Sequence, residues 1–193
     1  MPSDRRMARL EFVLRHRQPD LTVVMENIHD PHNVSAILRS CDAAGVKEVQ
    51  LLYTLEQFPR IGKKSSASAA KWVERRKFRS VDECYTVLRK EGFRIYSTHL
   101  GSQSRSIYDV DFTEKTAIVF GNEHRGVSDE AADRADGTIQ IPMLGMIQSL
   151  NVSVACAIVL YEALRQRLEQ GQYAKSKFAE KKLRELLAEW ARK

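Results

Sequence analysis

The chain alternates short apolar runs with amphipathic stretches, and this alternation constrains the fold more than any other feature. Apolar runs predict strands at residues 21–26, 46–53, 72–78, 93–97, 116–120 and 138–141. Helical spacing predicts helices at residues 5–17, 33–44, 65–71, 81–90 and 128–135. Strands that alternate with helices favour parallel pairing, because each parallel connection crosses over a face of the sheet. The expected fold class is therefore α/β, a mostly parallel sheet flanked by helices on both faces.

The segment at residues 139–161 combines a strand, an apolar loop and a helix. Pro142 ends the strand because it has no N–H to donate to a ladder, and the helix is expected to begin near Ser149. The loop between them holds large apolar side chains where a surface loop is normally polar: Met143, Leu144, Met146 and Ile147. Such a loop is expected to cover a ligand or another subunit, and a buried connection is the simpler alternative.

Length and composition are those of one globular domain. The chain has 193 residues, of which 43% are hydrophobic, so a sizeable core is expected and disorder is not. No apolar run approaches the roughly 20 residues that span a bilayer, and residues 1–17 are too charged for a signal peptide. Cys41, Cys84 and Cys156 are isolated, which indicates a reducing cytoplasm and argues against a zinc site.

Positive charge is concentrated in three parts of the chain. The net charge is +6, but residues 1–17 hold +3, residues 60–79 hold +7 and residues 165–193 hold +5, so the remainder is acidic. This segregation predicts a polyanionic partner such as a nucleic acid, although charged helix faces are often simply solvated. The chain is accordingly divided into a basic helical extension (1–18), a central domain (19–170) and a second basic helical extension (171–193).

The segment after the first strand is unusual for a nucleotide-binding protein. Residues 27–33 contain no glycine, which argues against an ordinary Rossmann site and against a P-loop. His29 and His32 are three residues apart, but Pro31 lies between them. No metal site is expected there.

Residues 26–45, 117–128 and 139–161, in this order, resemble the three motifs of the SPOUT superfamily of knotted RNA methyltransferases. The sequences of these motifs are most similar to those of the TrmH-type tRNA (guanosine-2′-O)-methyltransferases, and the resemblance covers residues 21–161. It implies a C-terminal trefoil knot, rare among proteins, with helical extensions at both termini. It also implies that S-adenosyl-L-methionine binds bent in the knot, held largely by backbone groups.

The resemblance further implies a reaction and an assembly. The methyl group would go to the ribose 2′-OH of a guanosine in tRNA, most simply guanosine 18 of the D-loop. The enzyme would be a cytoplasmic homodimer that needs no metal cofactor and does not associate with a membrane. The absence of glycine at residues 30–35 favours the TrmH branch over branches that act on ribosomal RNA. Alternatives are ribosomal RNA or another tRNA position as substrate, an inactive RNA-binding homologue, and an assembly protein that uses the apolar loop only to dimerise.

Five positions match the catalytic residues of the family: Asn33, Arg39, Glu123, Ser149 and Asn151. The family treats the motif-one arginine as catalytic, commonly as a general base. A guanidinium group has a pKa above about 12 and stays protonated in proteins, so a phosphate clamp that stabilises the developing alkoxide is the alternative role for Arg39. Glu123 is expected to orient Arg39 or the ribose. Asn33 and Ser149 are residue types that cap helices, and Asn33 would also help to arrange Arg39.

Six positions are carried over for the methyl donor: Leu100, Gly121, Ile141, Met143, Gly145 and Leu150. Gly121 ends a strand without a side chain that could obstruct a ligand, and Ile141 and Leu150 bracket the apolar loop. The loop itself is expected to line the adenine pocket.

Overall fold

The structure, a computed structural model, describes residues 3–59, 68–99, 101 and 104–193. Its helices are α1 (Asp4–Arg15), α2 (Pro31–Ala43), α3 (Ala69–Trp72), α4 (Val81–Lys90), α5 (Asp129–Asp133), α6 (Val152–Glu169) and α7 (Glu180–Ala191). Its strands are β1 (Leu21–Glu26), β2 (Glu48–Leu52), β3 (Glu74–Phe78), β4 (Arg94–Thr98), β5 (Arg105–Ser106), β6 (Thr116–Phe120) and β7 (Gly137–Gln140). A 3₁₀ turn, Ile107–Asp109, follows β5.

The strands form one seven-stranded sheet in the order β3-β2-β1-β6-β4-β7-β5. All six neighbouring pairs are parallel, which confirms the predicted sheet type. The chain returns twice to places inside the sheet, with β6 between β1 and β4, and β7 between β4 and β5. Because parallel strands end at the same edge, the segments that follow β1, β6 and β7 lie near one another.

Helices cover both faces of the sheet. Alternate residues of β1 point to opposite faces: Val23 and Met25 pack into the cluster that includes α2 and α6, whereas Val24 packs into the cluster that includes α4. Both clusters are fully buried at their centres. All six residues of β1 are buried, as expected for a strand covered on both sides.

A third apolar cluster joins the two ends of the chain. Leu10 and Leu14 of α1 pack against Leu183 and Leu186 of α7. Trp190 also belongs to this cluster, and its ring lies 4.9 Å from that of Trp72, centroid to centroid. The two terminal basic stretches and the part of the 60–79 stretch that contains Trp72 therefore meet around one cluster.

Two helices begin elsewhere than the sequence pattern predicts. Helix α2 begins at Pro31 because the side chain of Asp30 accepts the His32 N–H, so Asp30 is the N-cap. Asn33 is inside the first turn, and its prediction as a cap is wrong. Helix α2 ends as expected before Gly45, whose φ of +80° a glycine adopts without strain.

Helix α6 begins at Val152, three residues later than predicted. Asn151 is its N-cap, and its side chain accepts the Ser153 N–H at 2.9 Å. The expected cap, Ser149, lies in the exposed loop before it.

Two further differences concern short elements. The predicted helix at 65–71 lies partly outside the described residues, and its described part belongs to α3. Strand β5 has only two residues, too few for a periodic pattern. None of the helices in the described ranges is both long and apolar enough to cross a membrane.

Candidate active site

Three loops form the candidate site at the carboxyl edge of the sheet. They are the β1–α2 loop (27–30), the turn after β6 (121–127) and the β7–α6 loop (141–151). Backbone hydrogen bonds between Asn122 and Gly126, at 2.9 and 2.8 Å, close the turn after β6. This closed turn presents Glu123 to the β1–α2 loop.

Glu123 connects the turn to the first motif. One carboxylate oxygen, Oε2, accepts the His29 N–H at 2.9 Å. The other, Oε1, accepts the Asp30 N–H at 3.1 Å and Nδ2 of Asn33 at 2.8 Å. Burial raises the pKa of Glu123, but the hydrogen bonds from Asn33 and from backbone N–H groups outweigh it, so the pKa lies below its usual value. Glu123 is therefore an ionised acceptor at neutral pH.

Asn33 continues the connection to the third motif. While its Nδ2 donates to Glu123, its Oδ1 accepts Nδ2 of Asn151 at 3.0 Å. Asn151 in turn accepts both the backbone N–H and the hydroxyl of Ser153, at 2.9 and 2.6 Å. The hydrogen-bonded chain Glu123–Asn33–Asn151 thus joins all three motifs.

Arg39 does not take part in this chain. It lies in the third turn of α2, is exposed, and makes no ion pair or side-chain hydrogen bond with any residue that the structure describes. The expected contact between Arg39 and Glu123 is not among the hydrogen bonds and ion pairs of the described residues. The carboxylate of Glu123 instead accepts hydrogen bonds from the β1–α2 loop and from Asn33. The free guanidinium is available for a phosphate group or for a second subunit.

The β7–α6 loop is open and apolar. Leu144 and Met146 are fully exposed, and Ile147 is largely so. No backbone N–H of residues 143–150 donates a hydrogen bond to a described backbone carbonyl. The described side-chain hydrogen bond to the backbone of this loop runs from Nε2 of Gln148 to the Gly145 carbonyl, at 2.6 Å. Ser149 is exposed in this loop and makes no described hydrogen bond with Glu123, Asn33 or Asn151.

These loop residues fit the methyl donor that the motifs imply. An adenine ring is typically bound between apolar side chains and by backbone hydrogen-bonding groups, and the loop offers both. Gly145 has open space where a Cβ would stand, with no described atom within 4 Å. Ile141 and Met143 are half-buried at the base of the loop, and Leu150 is partly exposed at its end.

Gly121 has a different reason to be glycine. A Cβ there would lie 2.1 Å from the backbone of Gly126 and Val127, so the turn that carries Glu123 requires a glycine whether or not a ligand approaches. Leu100, the remaining donor position, lies outside the described residues. No group of three or more potential metal ligands occurs in the described parts of the chain.

Residues 20–161 match the model of the SpoU rRNA methylase family. The chain belongs to this family. It is 48% identical over 191 residues to the tRNA (guanosine(18)-2′-O)-methyltransferase of Thermus thermophilus, with 99% of this chain and 98% of the relative aligned. The crystal structure of the Aquifex aeolicus TrmH/SpoU tRNA modifying enzyme superposes with a TM-score of 0.92 at 40% identity, over 98% of this chain and 96% of that one.

A more distant family member shows which cofactor the fold accommodates. The SpoU methyltransferase AviRb of Streptomyces viridochromogenes, crystallised in complex with the cofactor AdoMet, has a TM-score of 0.69 at 27% identity. The alignment covers 88% of this chain and 67% of AviRb. This SpoU-family chain is thus a methyltransferase of the SPOUT TrmH type, as its motifs predict.

The structure adds two site residues that the sequence analysis missed, Asn27 and Asn122. Both are buried, and both follow the carboxyl ends of neighbouring strands, β1 and β6. Asparagine in such a position is the one sequence signal that could have indicated them, because its side chain can bond to nearby backbone groups.

Proposed function

We propose that this protein transfers the methyl group of S-adenosyl-L-methionine to the ribose 2′-oxygen of guanosine 18 in tRNA. One observation supports the proposal above all: the chain Glu123–Asn33–Asn151 links the three motifs beside an open apolar loop. The relative from Thermus thermophilus, aligned over almost its whole length, bears the name of this activity. A tRNA substrate also agrees with the cytoplasmic location that the isolated cysteines predict.

The donor, when bound, supplies a methyl group activated by its sulfonium. The residues of this chain must then align the ribose oxygen and deal with its proton. Glu123 already accepts three hydrogen bonds, so its role is to fix the β1–α2 loop and Asn33 rather than to take the proton. Orientation of two held reactants contributes much of the rate in such transfers.

Arg39 acts in this proposal as a phosphate clamp. Its exposed side chain has no described partner, and a guanidinium binds a phosphate with two parallel hydrogen bonds. Placed next to the reacting ribose, it would stabilise the alkoxide as the proton leaves to a phosphate or to water. Ser149 is exposed in the loop, and its proposed role is to contact the substrate or the donor.

The surface of α1 and α7 is the proposed tRNA-binding surface. Several basic residues of the terminal stretches serve the fold instead, such as Arg17, which is buried against Asp42, and Arg167, which is buried against Asp20. Others are exposed and have no described acidic partner: Arg5, Arg6 and Arg9 of α1, and Lys181 and Arg184 of α7. Because α1 and α7 pack together, these five cations belong to one helical unit that can contact phosphates.

A second copy of this chain is the proposed cover for the apolar loop and α6. Exposed apolar side chains continue from the loop along α6 at helical spacing: Leu144, Met146, Ile147, Leu150, Val154, Tyr161 and Leu168. This surface is longer than one donor molecule can cover, and contiguous apolar patches of this kind mark interfaces. Arg39 has no contact with Glu123 within one chain, which agrees with an active site completed at the dimer interface.

Methyl transfer from labelled S-adenosyl-L-methionine to an unmodified tRNA transcript tests the activity. We expect one methyl group on the ribose of guanosine 18, and none when that position is 2′-deoxyguanosine. Methylation of a ribosomal RNA fragment but not of tRNA would select the ribosomal alternative. Failure to bind the donor in calorimetry, with tRNA binding retained, would identify an inactive RNA-binding homologue.

A further inference from the structure

Asn27, which immediately follows β1, has a backbone conformation that few non-glycine residues adopt. Its φ is +49°, and among the residues that the structure describes only Ser68 shares this feature outside glycine. Asparagine tolerates this region better than most residues, but the conformation is still strained. Asn27 is also buried. A strained, buried polar residue at the edge of a site persists only when its surroundings hold it there.

The side chain of Asn27 organises the loop that follows β2. Its Oδ1 accepts three consecutive backbone N–H groups, from Thr54 and Leu55 at 3.0 Å and from Glu56 at 3.2 Å. Its Nδ2 donates to the Thr54 hydroxyl at 3.0 Å. One amide therefore fixes a segment that has no secondary structure of its own.

The backbone of Asn27 holds the turn after β6. Its carbonyl accepts Nδ2 of Asn122 at 2.7 Å, and Oδ1 of Asn122 accepts the N–H groups of His124 and Arg125 at 3.0 and 3.2 Å. Arg125 then forms an ion pair at 3.0 Å with Glu56, in the segment that Asn27 fixes. The contacts close into a ring that begins and ends at Asn27.

Glu123 lies inside this ring. It stands between Asn122 and His124 in the turn, so the ring sets the position from which its carboxylate reaches the His29 and Asp30 N–H groups and Asn33. A shift of the turn would move the carboxylate away from all three donors. Asn27 makes no described hydrogen bond to these three donors, so we expect its side chain to act on the reaction through the position of Glu123.

We propose that Asn27 is a positioning residue for methyl transfer, which holds Glu123 in place through Asn122 and the 54–56 segment. The inference rests on the proposed function. This role explains why the residue at this position is asparagine. Glycine would permit the positive φ but has no side-chain acceptor, and alanine would neither favour the positive φ nor supply an acceptor. Aspartate would retain an acceptor for the three N–H groups.

Two substitutions at Asn27 separate backbone conformation from hydrogen bonding. Asn27→Gly relieves the strain and removes the amide, and we expect kcat to fall about 10- to 100-fold, as for a misplaced reacting group, with KM for donor and tRNA unchanged. Asn27→Asp is expected to restore most of the kcat. Ser68→Gly is the matched control, because it relieves a positive φ whose side chain makes no capping hydrogen bond, and should leave kcat unchanged.

A double-mutant cycle tests whether the effect passes through Glu123. In single-turnover assays, Asn27→Gly should slow the wild type strongly but slow Glu123→Gln little further, since residues that act as one unit are not additive. Independent multiplicative losses would overturn the proposal, as would an unchanged kcat in Asn27→Gly or a loss confined to KM.

Hydrogen exchange gives a readout that does not depend on activity. The amides of Thr54, Leu55 and Glu56 should lose protection in Asn27→Gly and keep it in Asn27→Asp. Retained protection in Asn27→Gly would contradict the inference. A wild-type protein that methylates no tRNA would refute the proposed function instead, and exchange at these amides would still decide whether the ring exists.

Discussion

Replacing Glu123 with glutamine removes the charge at the centre of the candidate site while keeping the size of the side chain. The carboxylate offers two acceptor oxygens to three donors. Glutamine offers one oxygen, and its NH₂ group would face either the His29 N–H or the pair from Asp30 and Asn33. At least one donor loses its acceptor, so we expect Glu123→Gln to lower the free energy of unfolding by about 1.5–3 kcal/mol at pH 7, the range for hydrogen bonds to charged groups.

The same interaction predicts how the loss depends on pH. The pKa of Glu123 is lowered in the folded protein, so its carboxylate contributes stability that is fully present above the unfolded value of about 4.3. That contribution is lost as the pH falls through the folded pKa, because the protonated group is a poorer acceptor. Glutamine does not titrate, so the difference between wild type and variant should shrink as the pH falls below about 4.

Urea unfolding at a fixed protomer concentration measures this difference. The scan should run from pH 7 to about pH 3, within the range where the wild type still shows a folded baseline. Glu185→Gln is the control, because Glu185 is exposed and lies 3.6 Å from the exposed Lys182, where an ion pair contributes little. A loss for Glu123→Gln that is equal at every pH, or no loss at all, would refute the assignment of Glu123 as an ionised anchor of the site.

Four further predictions concern the donor loop, the clamp, the basic helices and the assembly. Arg39→Ala should abolish methyl transfer while donor binding survives, and Arg39→Lys should be nearly as inactive at every pH because lysine lacks the planar fork; a rate for the lysine variant that climbs above neutral pH, where the wild type is flat, would favour a base. Lys181→Gln with Arg184→Gln should weaken tRNA binding and reduce the slope of log K against log salt by about 0.7–0.9 per lost phosphate contact; an unchanged slope would exclude α7 from the interface. Gly121→Ala should destabilise the fold, because its Cβ would meet backbone at 2.1 Å, whereas Gly145→Ala, in open space, should leave the melting temperature unchanged and affect only donor or partner binding. Sedimentation at micromolar concentration should show a dimer, and a 22.1 kDa species would contradict the proposed interface.

Truncation of residues 173–193, a simpler test of the basic tail, is confounded by the packing of α7. Leu183, Leu186 and Trp190 cover α1, and the hydroxyl of Tyr173 donates to the Ala44 carbonyl at 2.7 Å. Removal would expose part of the core and reduce tRNA binding for the wrong reason. Charge-neutralising substitutions on α7 keep this packing, so they isolate the electrostatic contribution.

Several elements are determined by local pattern alone. Strands at 21–26 and 116–120 and the helix at 81–90 have the boundaries that their apolar spacing predicts. The parallel sheet also follows from the order of strands and helices, because a parallel connection needs a crossover. The three motifs predicted the family, which the family model confirms. Each motif is recognised by its own residue order, so the prediction does not need the contacts that form between the motifs.

Helix starts in the site could not be predicted in the same way. Asp30 and Asn33, and likewise Ser149 and Asn151, are all residue types that cap helices. Which of them caps depends on what else competes for its side chain. The amide of Asn33 is taken by Glu123, 90 residues further along the chain, and by Asn151, so only the folded sheet, which brings these segments together, decides the competition.

The sequence by itself therefore determined the order of the longer strands and helices of the central domain, the sheet type, the family and the identities of Asn33, Arg39 and Glu123 as candidates. Tertiary structure alone decided their contacts: it separated Arg39 from Glu123, paired α1 with α7, and placed Asn27 at the centre of a ring of hydrogen bonds. The physical reason is the sequence distance between the residues that interact. Periodicity reports which face of an element is buried, whereas these contacts join residues far apart in sequence, and only the strand order brings them to one edge of the sheet.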